Sequence, residues 1–245
     1  MKTIARLVTD LLMCLVLFAA NPAWPYEAEV VRDGGTISGL VKYGGPPPSM
    51  TPLAVTKDRE VCGSLPVYDQ SLIVGADRGV ANAVVTIANM ARGQSLTPMR
   101  AVRFDQKGCQ YIPHVAVFPA GSTVLIVNSD GILHNVHTES VQNPVIDLAQ
   151  PGFKKLISVT VERPEVIKVA CDAHNWMQGW WYVTANPYYS LTDLHGHYVI
   201  HNVPPGSYTL RVWQERLGTQ WQNIVVHPGS TTAADFMFHS SPQGS

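Results

Sequence analysis

The chain has 245 residues, a formal net charge of −1, and 46% hydrophobic against 14% charged residues. A disordered chain would be poorer in apolar and richer in charged residues, and a nucleic-acid binder would be clearly basic, so both classes are excluded. Eighteen prolines and nineteen glycines favour many short strands and turns over long helices, and the length suits one large or two small domains.

In chain order, the first segment is an address. Lys2 and Arg6 precede an unbroken apolar run from Leu11 to Ala20, and Ala19, Ala20 and Ala23 offer small residues for cleavage. Residues 1–23 therefore read as a signal peptide and the protein as exported. Ten apolar residues are too few for a spanning helix, which needs about 20; an uncleaved anchor is the alternative. Cys14 is discarded with this segment, and no other stretch of the mature chain reads as transmembrane.

Cleavage leaves Cys62, Cys109 and Cys171. If Cys171 is a ligand, as argued below, a Cys62–Cys109 disulfide is the economical use of the others in an oxidising compartment. A second soft-metal site with His114, or two buried thiols, are the other readings.

Strand patterns follow. Ile37–Val41 lies in a short strand that ends in a turn, and Pro46–Pro48 stiffens an extended segment. A polar, irregular stretch then carries Cys62. Gln70–Gly75 and Val80–Asn89 read as strands, the second through the β-branched run Ala83–Ile87. From Ala101 strands come at a regular pace, at 101–105, 114–118, 123–128, 155–161, 165–170 and 179–184, separated by Gly and Pro turns. That pace predicts an all-β fold, a sandwich or Greek-key barrel. After Pro187, turns lead into strands near 198–200, 203–213, 224–226 and 235–238, and residues 240–245 form a loose polar tail.

The chemistry concentrates in Cys171-Asp-Ala-His174-Asn-Trp-Met177, between the strand ending at Ala170 and the one beginning at Gly179. A thiol, an imidazole and a thioether spaced by three would point apart on a strand and drift round a helix, but a loop between two strands can turn all three inward. One imidazole from Leu133-His134-Asn-Val-His137 would complete a His₂Cys set with a weak Met. Thiolate and thioether select copper, and this combination makes a blue-copper electron-transfer site. His134 and His137 face opposite ways on a strand, so only one can serve.

These residues resemble the copper-binding half of a cupredoxin of the amicyanin and plastocyanin type. His114-Val-Ala-Val, the run 120–130, His134-Asn135, Cys-x-x-His-x-x-Met and the exit strand Gly-x-x-Tyr-Val stand in the family's order, over about Arg100–Pro187. The resemblance implies a Greek-key cupredoxin sandwich over 100–187 and one copper ion held by His134, Cys171, His174 and Met177. It also implies that Asn135 ties the ligand loops together and donates to the Cys171 sulfur, and that the His174 ring edge reaches the surface and carries the electron out. Leu133 stands where the family usually has Pro. The three tryptophans 176, 180 and 181 read as packing and a hydrophobic rim.

The flanks resemble a second family, the carboxypeptidase regulatory-like β-sandwich, through Ile37–Val41 and Ala83–Ile87 before the copper region and Thr192–Tyr198 and Pro204–Leu210 after it. The arrangement this implies is a small discontinuous sandwich, residues 27–92 with 190–239, into which the cupredoxin unit is inserted. The combination is similar to periplasmic proteins of the methylamine-utilisation type. Redox proteins are then the expected partners. Catalysis is not expected, since it would need an open copper position or further copper ligands. A periplasmic copper carrier, a metal-free module that binds carbohydrate or protein, and an open copper site without Met177 are the competing readings.

Overall fold

In the computed structural model, residues 26–49 and 51–239 are described. The expected signal peptide, Cys14 and the tail at 240–245 lie outside them. Among the described residues no helix is long and apolar enough to cross a membrane.

The chain is all-β, as expected. Its strands are β1 (Glu27–Ala28), β2 (Gly35–Tyr43), β3 (Val84–Ile87), β4 (Arg92–Gly93), β5 (Val102–Lys107), β6 (Gln110–Ile112), β7 (Val115–Pro119), β8 (Ser122–Asn128), β9 (His134–Glu139) and β10 (Asp147–Gln150). They continue with β11 (Leu156–Val161), β12 (Glu165–Ala170), β13 (Gln178–Thr184), β14 (Tyr189–Leu191), β15 (His197–Val203), β16 (Gly206–Gln214), β17 (Gly218–Val226), β18 (Thr231–Ala233) and β19 (Phe236–Phe238). A single helical turn, α1 (Arg59–Cys62), interrupts the stretch expected to be irregular.

Two sandwich-like units result. In the first, the sheet β10-β9-β12-β13-β7 faces the sheet β11-β8-β5-β6. Period-2 alternation builds it: on β8, Val124, Ile126 and Asn128 point inward while their neighbours are half-exposed. Phe104, Phe118 and Trp181 pack edge to face in its core, with centroids 5.5 Å (Phe104–Trp181) and 6.2 Å (Phe118–Trp181) apart. In the second unit, β14-β3-β16-β17 faces β15-β2-β18, with β19 extending along β2. Here β3 lies between two strands that follow it by a hundred residues, pairing Leu210 with Ile87 and Trp213 with Val84. Ile37, Val41, Val85, Leu210 and Val212 are fully buried in its core, and each such side chain contributes about 1.5–3 kcal/mol.

The units meet through Val84, Val115, Tyr182 and Trp213. Trp180 packs edge to face on Trp213 at 5.2 Å, and its Nε1 donates to Glu215 at 2.6 Å. The other Glu215 oxygen pairs with His114, so His114 braces the interface and takes no part in a second metal site with Cys62 and Cys109.

Several elements depart from expectation. Gln70–Gly75 forms no strand; only Val74 makes an isolated bridge, to Val80, because Asp69 turns the chain by accepting the Ser71 amide. Strands β9 and β10 had no sequence signal. Inward positions on β9 carry His134 and Thr138 on either side of Val136, which hides the apolar alternation, and β10 is a short edge strand beside it.

Candidate metal centre

The site lies at one end of the first unit, where β9 begins and the β12–β13 loop turns back. Before β9, Asn128 shapes the entry turn: its Nδ2 donates to the carbonyls of Ile132 (2.8 Å) and Gln150 (3.0 Å), and its Oδ1 accepts from Gly131. Gly131 has φ +76°, a left-handed conformation that suits glycine. In the β12–β13 loop the amides of His174 and Cys171 donate to the carbonyls of Cys171 and Met177, and the Met177 amide donates to His174. These tight turns direct all three side chains inward: Cys171, His174 and Met177 are buried.

The structure brings His134, Cys171 and His174 together. The two Nδ1 atoms are 3.1 Å apart, and the Cys171 sulfur lies 4.0 Å from His134 Nδ1 and 3.7 Å from His174 Nδ1. Met177 packs in the same core cluster as Cys171. His137 faces the other way, half-exposed, 3.2 Å from Asp172. Asn135 bridges the ligand loops: its Oδ1 accepts the Asp172 amide at 2.6 Å and its Nδ2 donates to the Asp172 carboxylate at 2.8 Å. The Asn135 backbone amide favours the Cys171 thiolate.

Each imidazole is held from behind by a carboxylate. His134 Nε2 sits 2.9 Å from Asp130, which also accepts the amides of Gly108 (2.6 Å) and Cys109 (2.9 Å). His174 Nε2 sits 2.9 Å from Asp58. With a carboxylate on each Nε2, the proton belongs there, so both Nδ1 lone pairs point into the same small space beside the thiol. That arrangement is repulsive unless a proton or a metal ion fills it. In the metal-free chain, burial lowers the basicity of His134, but Asp130 and Cys171 outweigh it and push its pKa up to about 9. Burial likewise raises Cys171, yet His134 and three backbone amides hold it below the usual thiol value. Burial and the neighbouring His134 keep His174 low against the pull of Asp58. The cluster thus holds a proton where a cation would displace it, and two imidazoles and a buried thiol, with Met177 in the same core cluster, are donors that fit copper.

The expectation for the His174 edge is overturned. His174 is fully buried, and the loop that bears Asp58 covers its outer nitrogen. The Cys62–Cys109 disulfide is present, and both its sulfurs lie within 4.8 Å of a His174 ring nitrogen. Asp58, Asp130 and Tyr111 had no sequence signal as site residues. The Tyr111 hydroxyl donates to the carbonyls of Asn135 (2.6 Å) and Ala170 (3.0 Å), joining the two ligand-bearing strands.

The chain is thus an all-β protein of two sandwich-like units, one bearing a buried His/His/Cys cluster. The chain is similar to the purple cupredoxin of Nitrosopumilus maritimus, 24% identical over 34% of this chain and 99% of that one, with a TM-score of 0.29. It is similar to amicyanin from Paracoccus versutus, 19% identical over 41% of this chain and 97% of that one, TM-score 0.31. The copper-containing nitrite reductase of Thermus scotoductus is 25% identical over 40% of this chain but only 25% of its own, TM-score 0.31. Residues 162–234 match the family described as polysaccharide lyase family 4, domain II, a span that takes in β12, β13 and the loop between them in the first unit and β14 to β18 in the second. Among curated proteins nothing matches. Function is therefore argued from the donor atoms.

Proposed function

We propose that this is an exported protein that carries single electrons between redox proteins on one copper ion, with His134, Cys171 and His174 as ligands and Met177 as a weak fourth. One observation carries it: two buried imidazoles, each tied outward to a carboxylate, turn their free nitrogens on one another and on the buried Cys171 thiol at 3.1–4.0 Å. Bound copper supplies a one-electron couple, and the chain's contribution is rigidity. His134 stands on β9, Cys171, His174 and Met177 on one hydrogen-bonded loop, and Tyr111 and Asn135 join the two. Little need move when the charge changes. The burial of all four donor residues supports a carrier over an enzyme. The disulfide supports export to an oxidising, periplasmic compartment. The flanking unit would present the carrier to its partner, and its carboxypeptidase regulatory-like character belongs to the same proposal.

The burial of His174 favours one other reading, a periplasmic protein that holds or hands over copper. Optical and paramagnetic resonance spectra of the copper-loaded protein decide between them. Electron transfer predicts an intense visible thiolate-to-copper band, lost in Cys171→Ser. Colourless, readily exchanged Cu(I) would favour handling, and unchanged spectra in the variant would refute the ligand set.

A further inference from the structure

The loop Thr51–Tyr68 has no counterpart in the reading drawn from the ligands, yet it reaches the centre of the site. Its base is closed by the Leu53 amide donating to Val67 at 2.7 Å and by a bridge between Pro52 and Tyr68. Its far side is fastened by Cys62–Cys109, with both cysteines buried. Cys109 in turn lies beside Asp130 and His134, with ligand atoms within 4.8 Å of one another. One covalent link therefore anchors this loop next to both imidazoles.

Asp58 stands at the start of α1 with φ 49° and ψ 43°, a left-handed conformation uncommon for a residue with a side chain. An Asp in that place ordinarily caps the helix by accepting an amide with its carboxylate. This one makes no such bond; only its backbone carbonyl accepts the amides of Val61 and Cys62. The carboxylate instead spans 116 residues of sequence to His174 Nε2. The forgone cap and the unusual backbone both trade local stability for that contact. His174 is completely enclosed while the Asp58 side chain is 39% exposed, so the aspartate is what solvent meets in place of the ring.

We propose that Asp58 is a positioning residue for the copper site: pinned by the Cys62–Cys109 disulfide, its carboxylate holds the His174 ring with Nδ1 turned to the metal and closes the ring's outer edge to solvent and chelators. This rests on the copper reading above. Asp58 does for His174 what Asp130 does for His134, and partners of this kind set ring orientation and typically change metal affinity about 10–100-fold when removed.

The test uses the copper-loaded chain, the variants Asp58→Ala, Asp58→Asn and Cys62→Ser/Cys109→Ser, and Asp58→Ala in the serine background. Cu(I) removal by bicinchoninate without oxygen, the reduction potential and the visible band are read for each. Asp58→Ala should lose copper about 10-fold faster or more and shift the potential upward, because a negative charge that favours Cu(II) is gone. Asp58→Asn keeps an acceptor oxygen, so its release rate should stay near wild type while its potential still rises; should the alanine variant fail to fold, this split carries the test. The serine pair should release copper faster, and adding Asp58→Ala to it should change little. Wild-type release and potential in Asp58→Ala overturn the proposal, as does full additivity of the loop and disulfide changes. A wild-type chain that takes up no copper overturns the copper reading first, at the loading step.

Discussion

The two histidine flanks of the site are built alike and held differently. His134 takes its carboxylate from Asp130, four residues away in the same turn, and that carboxylate also satisfies the amides of Gly108 and Cys109. His174 takes its carboxylate from Asp58, on a loop of distant sequence that is kept in place by a disulfide. The first flank is part of the sandwich and would exist without the loop. The second is an addition to it. Equal contacts on the two rings, 2.9 Å at each Nε2, therefore conceal unequal dependence on the rest of the fold.

The largest expected effect tests that inequality. Asp130→Ala strands two amides and a buried imidazole and should cost about 3 kcal/mol of folding stability in the metal-free protein, read by denaturant unfolding. Asp58→Ala should cost less than about 1 kcal/mol by the same measurement, since its own side chain is partly solvated and its removal lets water reach His174 Nε2; equal losses would break the comparison. Tyr111→Phe comes next. It removes one hydroxyl that joins the strand of His134 to that of Cys171, and should cost about 1–2 kcal/mol and broaden the copper spectrum, because it loosens one flank against the other.

A pH control lies at the opposite end of the unit. Burial raises the Glu165 carboxyl, but the Asn143 side chain and the amides of Val141, Gln142 and Asn143 outweigh it and hold it below the usual range. A depressed folded value means stabilisation that is present above the unfolded value near 4.5 and lost as pH falls through the folded one. Glu165→Gln should cost about 0.5–1 kcal/mol near neutrality, after allowance for its exposure, and flatten the acid limb of a stability–pH curve without touching either flank. The smallest effect is expected from His137→Ala. Its ring is half-exposed and faces away from the cluster, so stability should change by less than about 0.5 kcal/mol and the copper spectrum not at all, whereas a spectral change would mean that the choice between the two histidines of β9 is mistaken.

Much of this was legible. Strands β2, β3, β8, β12, β13 and β16 announce themselves through alternation or β-branched runs between Gly and Pro turns, because a strand with one buried face must alternate. The strand that carries His134 does not, since a site replaces apolar residues with polar ones at the inward positions. Cys171, His174 and Met177 could be read together because all three belong to one loop whose frame of flanking strands is itself readable. Asp58 and Asp130 could not, because an aspartate in a turn is ordinary and only its spatial neighbour distinguishes it.

The order of the residues by itself determined the candidate donor atoms, their chemical softness and the strand–loop–strand frame that gathers three of them, since these depend on spacing over a few residues. What stands behind each imidazole, and whether the outer edge of His174 meets solvent, was decided only by the tertiary structure. That contact joins chain segments 116 residues apart, and no local pattern encodes an approach made by folding and fixed by a crosslink.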